Sequence, residues 1–263
     1  MRNCGRYPGL THSAPSCAPN DKEKPQNMKH TILAASLITM LGGFANADDK
    51  ALLGIPGKVI FESNLDSELP KTWQAAKGKW EAVGGVLRGS EKPEDKHGAV
   101  TRMPGKLGDF IAEYEFKFEG GKTTSFSING PKDHQARIMI SPTFVTIQKD
   151  DSDHDGPDKA VIFARFATEL KPSEWHKVRM EMVGDVMVGK VDDLVAWGSH
   201  DLFKNDHMSP GFTVAGQSVD FRNLKITEAT LNPDWNKVKE SLPKPGEKVA
   251  PPAAPAAKKT AAQ

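Results

Sequence analysis

Phe110, Ala112, Tyr114, Phe116 and Phe118 alternate with Ile111, Glu113, Glu115, Lys117 and Glu119. Side chains of an extended chain point to opposite faces in turn, so this period of two predicts a half-buried strand with an aromatic inner face and a charged outer one. Similar runs follow at Thr123 to Asn129, Gln135 to Ser141, Thr143 to Lys149, Ala160 to Phe166, His176 to Val183, Val186 to Val191, Gly211 to Ala215 and Val219 to Thr227. Turn signals separate them, among them Glu119-Gly120-Gly121, Asn129-Gly130-Pro131, Asp155-Gly156-Pro157 and Ser209-Pro210-Gly211. Many short strands with hardly a helical pattern among them predict an all-β fold, an antiparallel two-sheet sandwich. One short C-terminal helix is expected, with Asn232 as N-cap, Pro233 at its first position and Trp235 docking it on the sandwich.

The ends of the chain read differently. Met28-Lys29-His30 precedes the apolar run Thr31 to Leu41 and then Gly42-Gly43-Phe44-Ala45-Asn46-Ala47, the n-, h- and c-regions of an export leader cleaved after Ala47. Residues 28–47 are therefore expected to be a signal peptide, and 1–27 an extension ahead of the true start. The apolar run is shorter than the roughly 20 residues of a membrane span, so no permanent anchor is expected. Both cysteines, Cys4 and Cys17, lie in the extension, which leaves no disulfide or thiolate chemistry to the mature chain. Export implies a secreted or envelope-located protein. The sandwich is expected over 48–230, the helix over 231–242, and a disordered Pro/Ala/Lys tail over 243–263. Lys and Arg number 35 against 34 Asp and Glu, a balance that does not suggest a nucleic-acid-binding field.

Four words in the sandwich carry a resemblance. They are Gly78-Lys79-Trp80-Glu81-Ala82-Val83-Gly84-Gly85-Val86-Leu87, Gly108-Asp109-Phe110-Ile111-Ala112-Glu113-Tyr114-Glu115-Phe116, the hairpin opening Trp175-His176-Lys177-Val178-Arg179, and Val219-Asp220-Phe221-Arg222-Asn223-Leu224-Lys225-Ile226. In this order they resemble the 3-keto-disaccharide hydrolase family, from about Lys58 to Glu228. The resemblance implies a concanavalin A-like jelly roll and hydrolysis of 3-keto glycosides. The chain departs from the family at Val191-Asp192-Asp193, where Leu-Asn-Gly is usual, and lacks the family's "NSGi" strand and "GalY" turn.

Candidate chemistry lies in the loops and along the strands. Asp151, Asp153 and Asp155, followed by Gly156, form D-x-D-x-D-G, oxygen ligands at the spacing that calcium takes. The bidentate Glu that would complete an EF-hand is replaced by Ile162, so the readings left are a calcium-clamped hairpin loop or a solvated acidic turn. Glu113, Glu115 and Glu119 share a strand face, but Lys117 between them favours ionised carboxylates over a glycosidase acid, which makes them a charged solvent face. His134 with Arg137 beside the Asn129-Gly130-Pro131 turn, and His200 after Trp197-Gly198-Ser199, are the candidate catalytic residues. Trp197, expected as an exposed ring, and Arg165 are the candidate substrate-binding residues, while Trp80 and Trp175 are expected in the core and His176 reads as structural.

The expected partner is carbohydrate. A ketone at C3 acidifies the hydrogen on C2, so cleavage by elimination and water addition needs a base, His134 or His200, and an oxyanion stabiliser, Arg137 or a loop-bound metal. A non-catalytic carbohydrate-binding sandwich and an adhesion domain are the alternatives to an enzyme.

Overall fold

The computed structural model describes residues 50–131, 134–151 and 156–247, all within the compact unit Asp48–Gln263. The expected leader, the extension ahead of it and the tail beyond residue 247 lie outside the described residues. In chain order the strands are β1 (Gly54–Ser63), β2 (Gln74–Lys77), β3 (Lys79–Val83), β4 (Val86–Ser90), β5 (Ala99–Arg102), β6 (Lys106–Leu107), β7 (Phe110–Phe118) and β8 (Gly121–Asn129). They continue with β9 (His134–Ser141), β10 (Phe144–Lys149), β11 (Val161–Ala167), β12 (His176–Val183), β13 (Val186–Val191), β14 (Leu194–Ser199), β15 (His207–Gly216) and β16 (Val219–Leu231), before helix α1 (Trp235–Glu240).

Two antiparallel sheets result, the sandwich that the alternation predicts. The first runs β14-β13-β12-β7-β16-β4-β3, with β1 also paired to β16; the second runs β11-β10-β9-β8-β15-β5-β2, with β6 beside β15. Along the edge away from β7, the long β16 serves two neighbours: Val219 to Phe221 pair with β4, and Leu224 to Leu231 pair with β1. Asn223 sits between, at a register shift, with φ of 55°, a left-handed conformation that asparagine tolerates better than most residues.

Phe110, Ala112, Tyr114, Phe116 and Phe118 line the inner face of β7 and are 0–2% exposed. Tyr114 meets Phe126 and Phe212 from the second sheet at centroid distances of 5.5 and 5.0 Å, and Phe212 stacks on Phe221 at 4.4 Å. These rings join the sheets through one apolar core. On the outer face of β7, Glu113 pairs with Arg179 and Glu115 with Arg222, so the charged row is a set of ion pairs.

Ile111, on the same outer face, is 1% exposed. It belongs to a second apolar cluster with Leu53, Val183, Val188, Ala229 and Trp235. The cluster draws together the entry to β1 and helix α1. Gly54 N donates to the buried Glu181 Oε2 at 2.6 Å, and Glu181 is itself paired with Arg179.

The helix starts two residues later than expected, with Asp234 at the N-cap position. Asn232 stands ahead of it: its Oδ1 accepts from Asp234 N at 3.0 Å, while its Nδ2 donates to Ala51 O and Leu52 O at 3.1 and 2.8 Å. An amide carries both donors and acceptors, so this one residue starts the turn into the helix and also holds the entry to β1.

Candidate functional site

The outer face of the second sheet carries a row of polar residues set by strand register. Gln148 lies opposite Arg137, Arg137 opposite Ser127, Ser127 opposite Gly211, Gly211 opposite Arg102 and Arg102 opposite Gln74. The alternate residues on these strands, including Thr101, Phe126, Ile128, Ala136 and Ile138, are 0–1% exposed in the interior, so the row faces away from the core. Even so, Ser127, Gln148 and Asp150 are buried. Polar groups sheltered on a sheet face are more strongly coupled to charge than the same groups in open water.

Gly211 shapes the row. A Cβ there would stand 2.9 Å from Arg102 Cδ and closer still to Thr101 O. Without one, Arg102 lies across β15, and its Nη1 donates to Ser127 Oγ at 2.8 Å, to Ser127 O at 3.0 Å and to Ser209 O at 3.4 Å. On the far side of Ser127, Arg137 Nη2 is 2.6 Å from Asp150 Oδ2. The other oxygen of Asp150 accepts from Gln148 Nε2 at 3.2 Å and from Asp151 N at 3.2 Å. Burial, reinforced by the neighbouring Arg137 charge, lowers Arg102 to about 10, with Asp150 pulling the other way. Arg102 is therefore still a cation at neutral pH.

The sequence candidates distribute unevenly over this geometry. Arg137 is central to the row. His134 begins the same strand, and its Nδ1 donates to Asn129 Oδ1 at 3.2 Å. Arg165 lies opposite Thr146 at the β11 edge, exposed, with its guanidinium 4.0 Å from the Phe144 ring centroid. No described contact joins His200 to them. Its Nδ1 accepts from Leu202 N at 3.1 Å, which caps the short 3-10 turn Asp201–Lys204. Burial first, and then the Lys149 charge, lower the His200 pKa, in keeping with a neutral ring that accepts that bond.

Trp197 differs from the exposed ring expected. It is half-buried in the second cluster, edge-on to Trp235 at 5.8 Å, because helix α1 packs over it. Trp175 departs from the core placement expected of it. With Arg222 4.0 Å and Lys117 5.2 Å from its ring, it lines an open groove of about 460 Å³ on the first sheet. The cations there have carboxylate partners: Arg88 meets Asp220 at 2.6 Å, Lys117 meets Glu119 at 2.6 Å and Arg222 meets Glu115 at 2.8 Å. Of the calcium candidates, Asp153 and Asp155 lie outside the described residues and Asp151 follows β10. No cluster of three or more metal-binding side chains occurs among the described residues.

Arg102, Ser127, Asp150 and Gly211 were not among the sequence candidates. Asp150 was hidden in the acidic run that it opens. Arg102 ends a four-residue strand, too short to show a period.

Solved structures place the architecture. A Bacillus subtilis protein of unknown function with a galectin-like fold superposes with a TM-score of 0.51 at 14% identity, over 68% of this chain and 100% of that one. The laminarinase of Rhodothermus marinus superposes with a TM-score of 0.51 at 11% identity, over 67% of this chain and 99% of that one. Among curated proteins none matches. The model of the 3-keto-alpha-glucoside-1,2-lyase-like domain matches residues 58–227, from within β1 to within β16. With that match spanning more than half of its length, the chain belongs to the family of 3-keto-alpha-glucoside-1,2-lyase-like domains.

Proposed function

We propose that this carbohydrate-active jelly-roll domain acts outside the cytoplasm on glycosides oxidised to a ketone at C3, and breaks their C1–O bond by elimination. The observation that carries the reading is the sheltered cationic face around Arg137, with His134 at the start of the same strand. His134 takes the C2 proton through a ring nitrogen. The electron pair left behind moves into the ketone, and the Arg137 guanidinium meets the negative charge on O3. When the ketone re-forms, the pair becomes the C1–C2 double bond and the C1–O electrons leave with the aglycone oxygen, which is protonated by water. Water then adds across the double bond. Paired glycosidase carboxylates are not needed for this route.

The test is sugar release by the purified chain from a 3-keto disaccharide, with hydrogen or deuterium at C2. Release that slows several-fold with deuterium is expected, because the C2 bond breaks in the slow step. Release insensitive to deuterium would remove the proton abstraction by His134, and binding without release would leave a carbohydrate-binding module. Calcium clamped by Asp151, Asp153 and Asp155 predicts a melting temperature raised by calcium and lowered by chelator; an unchanged melt leaves that loop a turn. The export reading is checked by N-terminal sequencing of the cellular protein, where Asp48 is the expected first residue.

A further inference from the structure

We infer that the saccharide held on the second sheet is an acidic one, whose single negative group, a carboxylate or a sulfate ester, is gripped by Arg102. The inference rests on the carbohydrate reading above and adds the class of sugar to it. Two guanidinium groups flank Ser127, and one carboxylate serves them: Asp150 lies against Arg137 at 2.6 Å. Arg102 has no ion-pair partner among the described residues. Its described bonds all run through Nη1, to a hydroxyl and two carbonyl oxygens, so the edge formed by Nε and Nη2 is left for a ligand.

That edge is the part of arginine that holds a carboxylate or sulfate through two parallel bonds. A half-buried cation whose only anchors are neutral oxygens has lost much of its hydration without gaining a counter-charge, and a monoanion would restore the balance. The Trp175 groove on the first sheet lacks this property, because each of its cations has a carboxylate. Arg102 is also fixed before any ligand arrives, since Gly211 opens the path across β15 and Ser127 receives its far end. A pre-set fork loses little freedom on binding.

The experiment titrates the purified chain with glucuronate, glucose 6-sulfate and glucose by calorimetry, for the native sequence and for Arg102→Lys and Arg102→Met. Near-UV circular dichroism checks that each variant keeps its packed aromatic core. The acidic sugars are expected to bind at least about tenfold more tightly than glucose, with the preference weakened by added salt. Arg102→Lys keeps the charge without the fork and is expected to lose most of the preference; Arg102→Met is expected to abolish it. Equal binding of acidic and neutral sugars by the native chain, no binding of either acid, or an acid preference that survives in a folded Arg102→Met variant would each overturn the inference. Cleavage of a neutral 3-keto disaccharide with no acid preference leaves the proposed activity standing and removes this inference alone. Arg102-dependent acid binding without any cleavage does the reverse.

Discussion

His176 shows how a single side chain in a family-like word can be structural and still have a measurable chemistry. The residue is 7% exposed; its ring lies 5.4 Å from Phe116 and donates through Nδ1 to Asp192 Oδ2 at 2.8 Å. The other oxygen of Asp192 accepts from Lys177 N at 2.9 Å. The Asp192 hydrogen bond raises the His176 pKa above its ordinary 6.5, outweighing the opposing effect of burial. A raised histidine gives stability that is fully present below about pH 6.5 and is lost as pH rises through the folded-state value. His207, lowered by burial, works in the opposite sense. Its contribution is common to both proteins when the native chain is compared with Asp192→Asn, which keeps an acceptor for Lys177 N and suits the left-handed φ of 49° at that position. The stability difference between the two in urea melts is expected to be largest near pH 6 and to shrink toward pH 8. A difference that is flat across this range would show that His176 carries no pH-linked stability.

At the scale of elements, the second cluster explains what strand alternation alone misses. A period of two places Ile111 on a charged solvent face, yet the entry to β1 and helix α1 cover it, and the same helix half-buries Trp197. Trp235 is 6% exposed at the centre of this contact. Trp235→Ala is expected to cost about 3–5 kcal/mol in urea denaturation and to shift the Trp197 emission to the red as that ring meets water. Unchanged stability would mean that the helix is an ornament and not part of the core. Strands β7 to β13, β15 and β16 were legible from their apolar runs and the turn signals between them, and the helix from the start signal Asn232-Pro233. Strands β1, β2, β5 and β14 were not, since two of them have four residues and β1 carries glycine and proline near its start. Of the candidate site, Arg137 and His134 were legible as cationic residues beside a turn. Arg102 was not, because its role comes from cross-strand register and from the space above Gly211, which no local window contains.

At the scale of the molecule, the sheets assemble from partners far apart in sequence. The jelly-roll order sets β7 beside β16 and β8 beside β15, and most of the core is held by such pairs. Proteins dominated by non-local pairing fold on the millisecond-to-second scale, so stopped-flow refolding of this domain is expected in that range; a microsecond phase that recovers the native tryptophan signal would contradict the topology. The pairing of Gly54 with Leu231 carries a consequence for biosynthesis. The first strand of the domain finds its partner only when the last strand has left the ribosome, so the first sheet cannot close around a growing chain. A nascent polypeptide of this kind stays open until β16 has been made, and until then its unpaired strand edges are exposed to neighbouring chains and to chaperones.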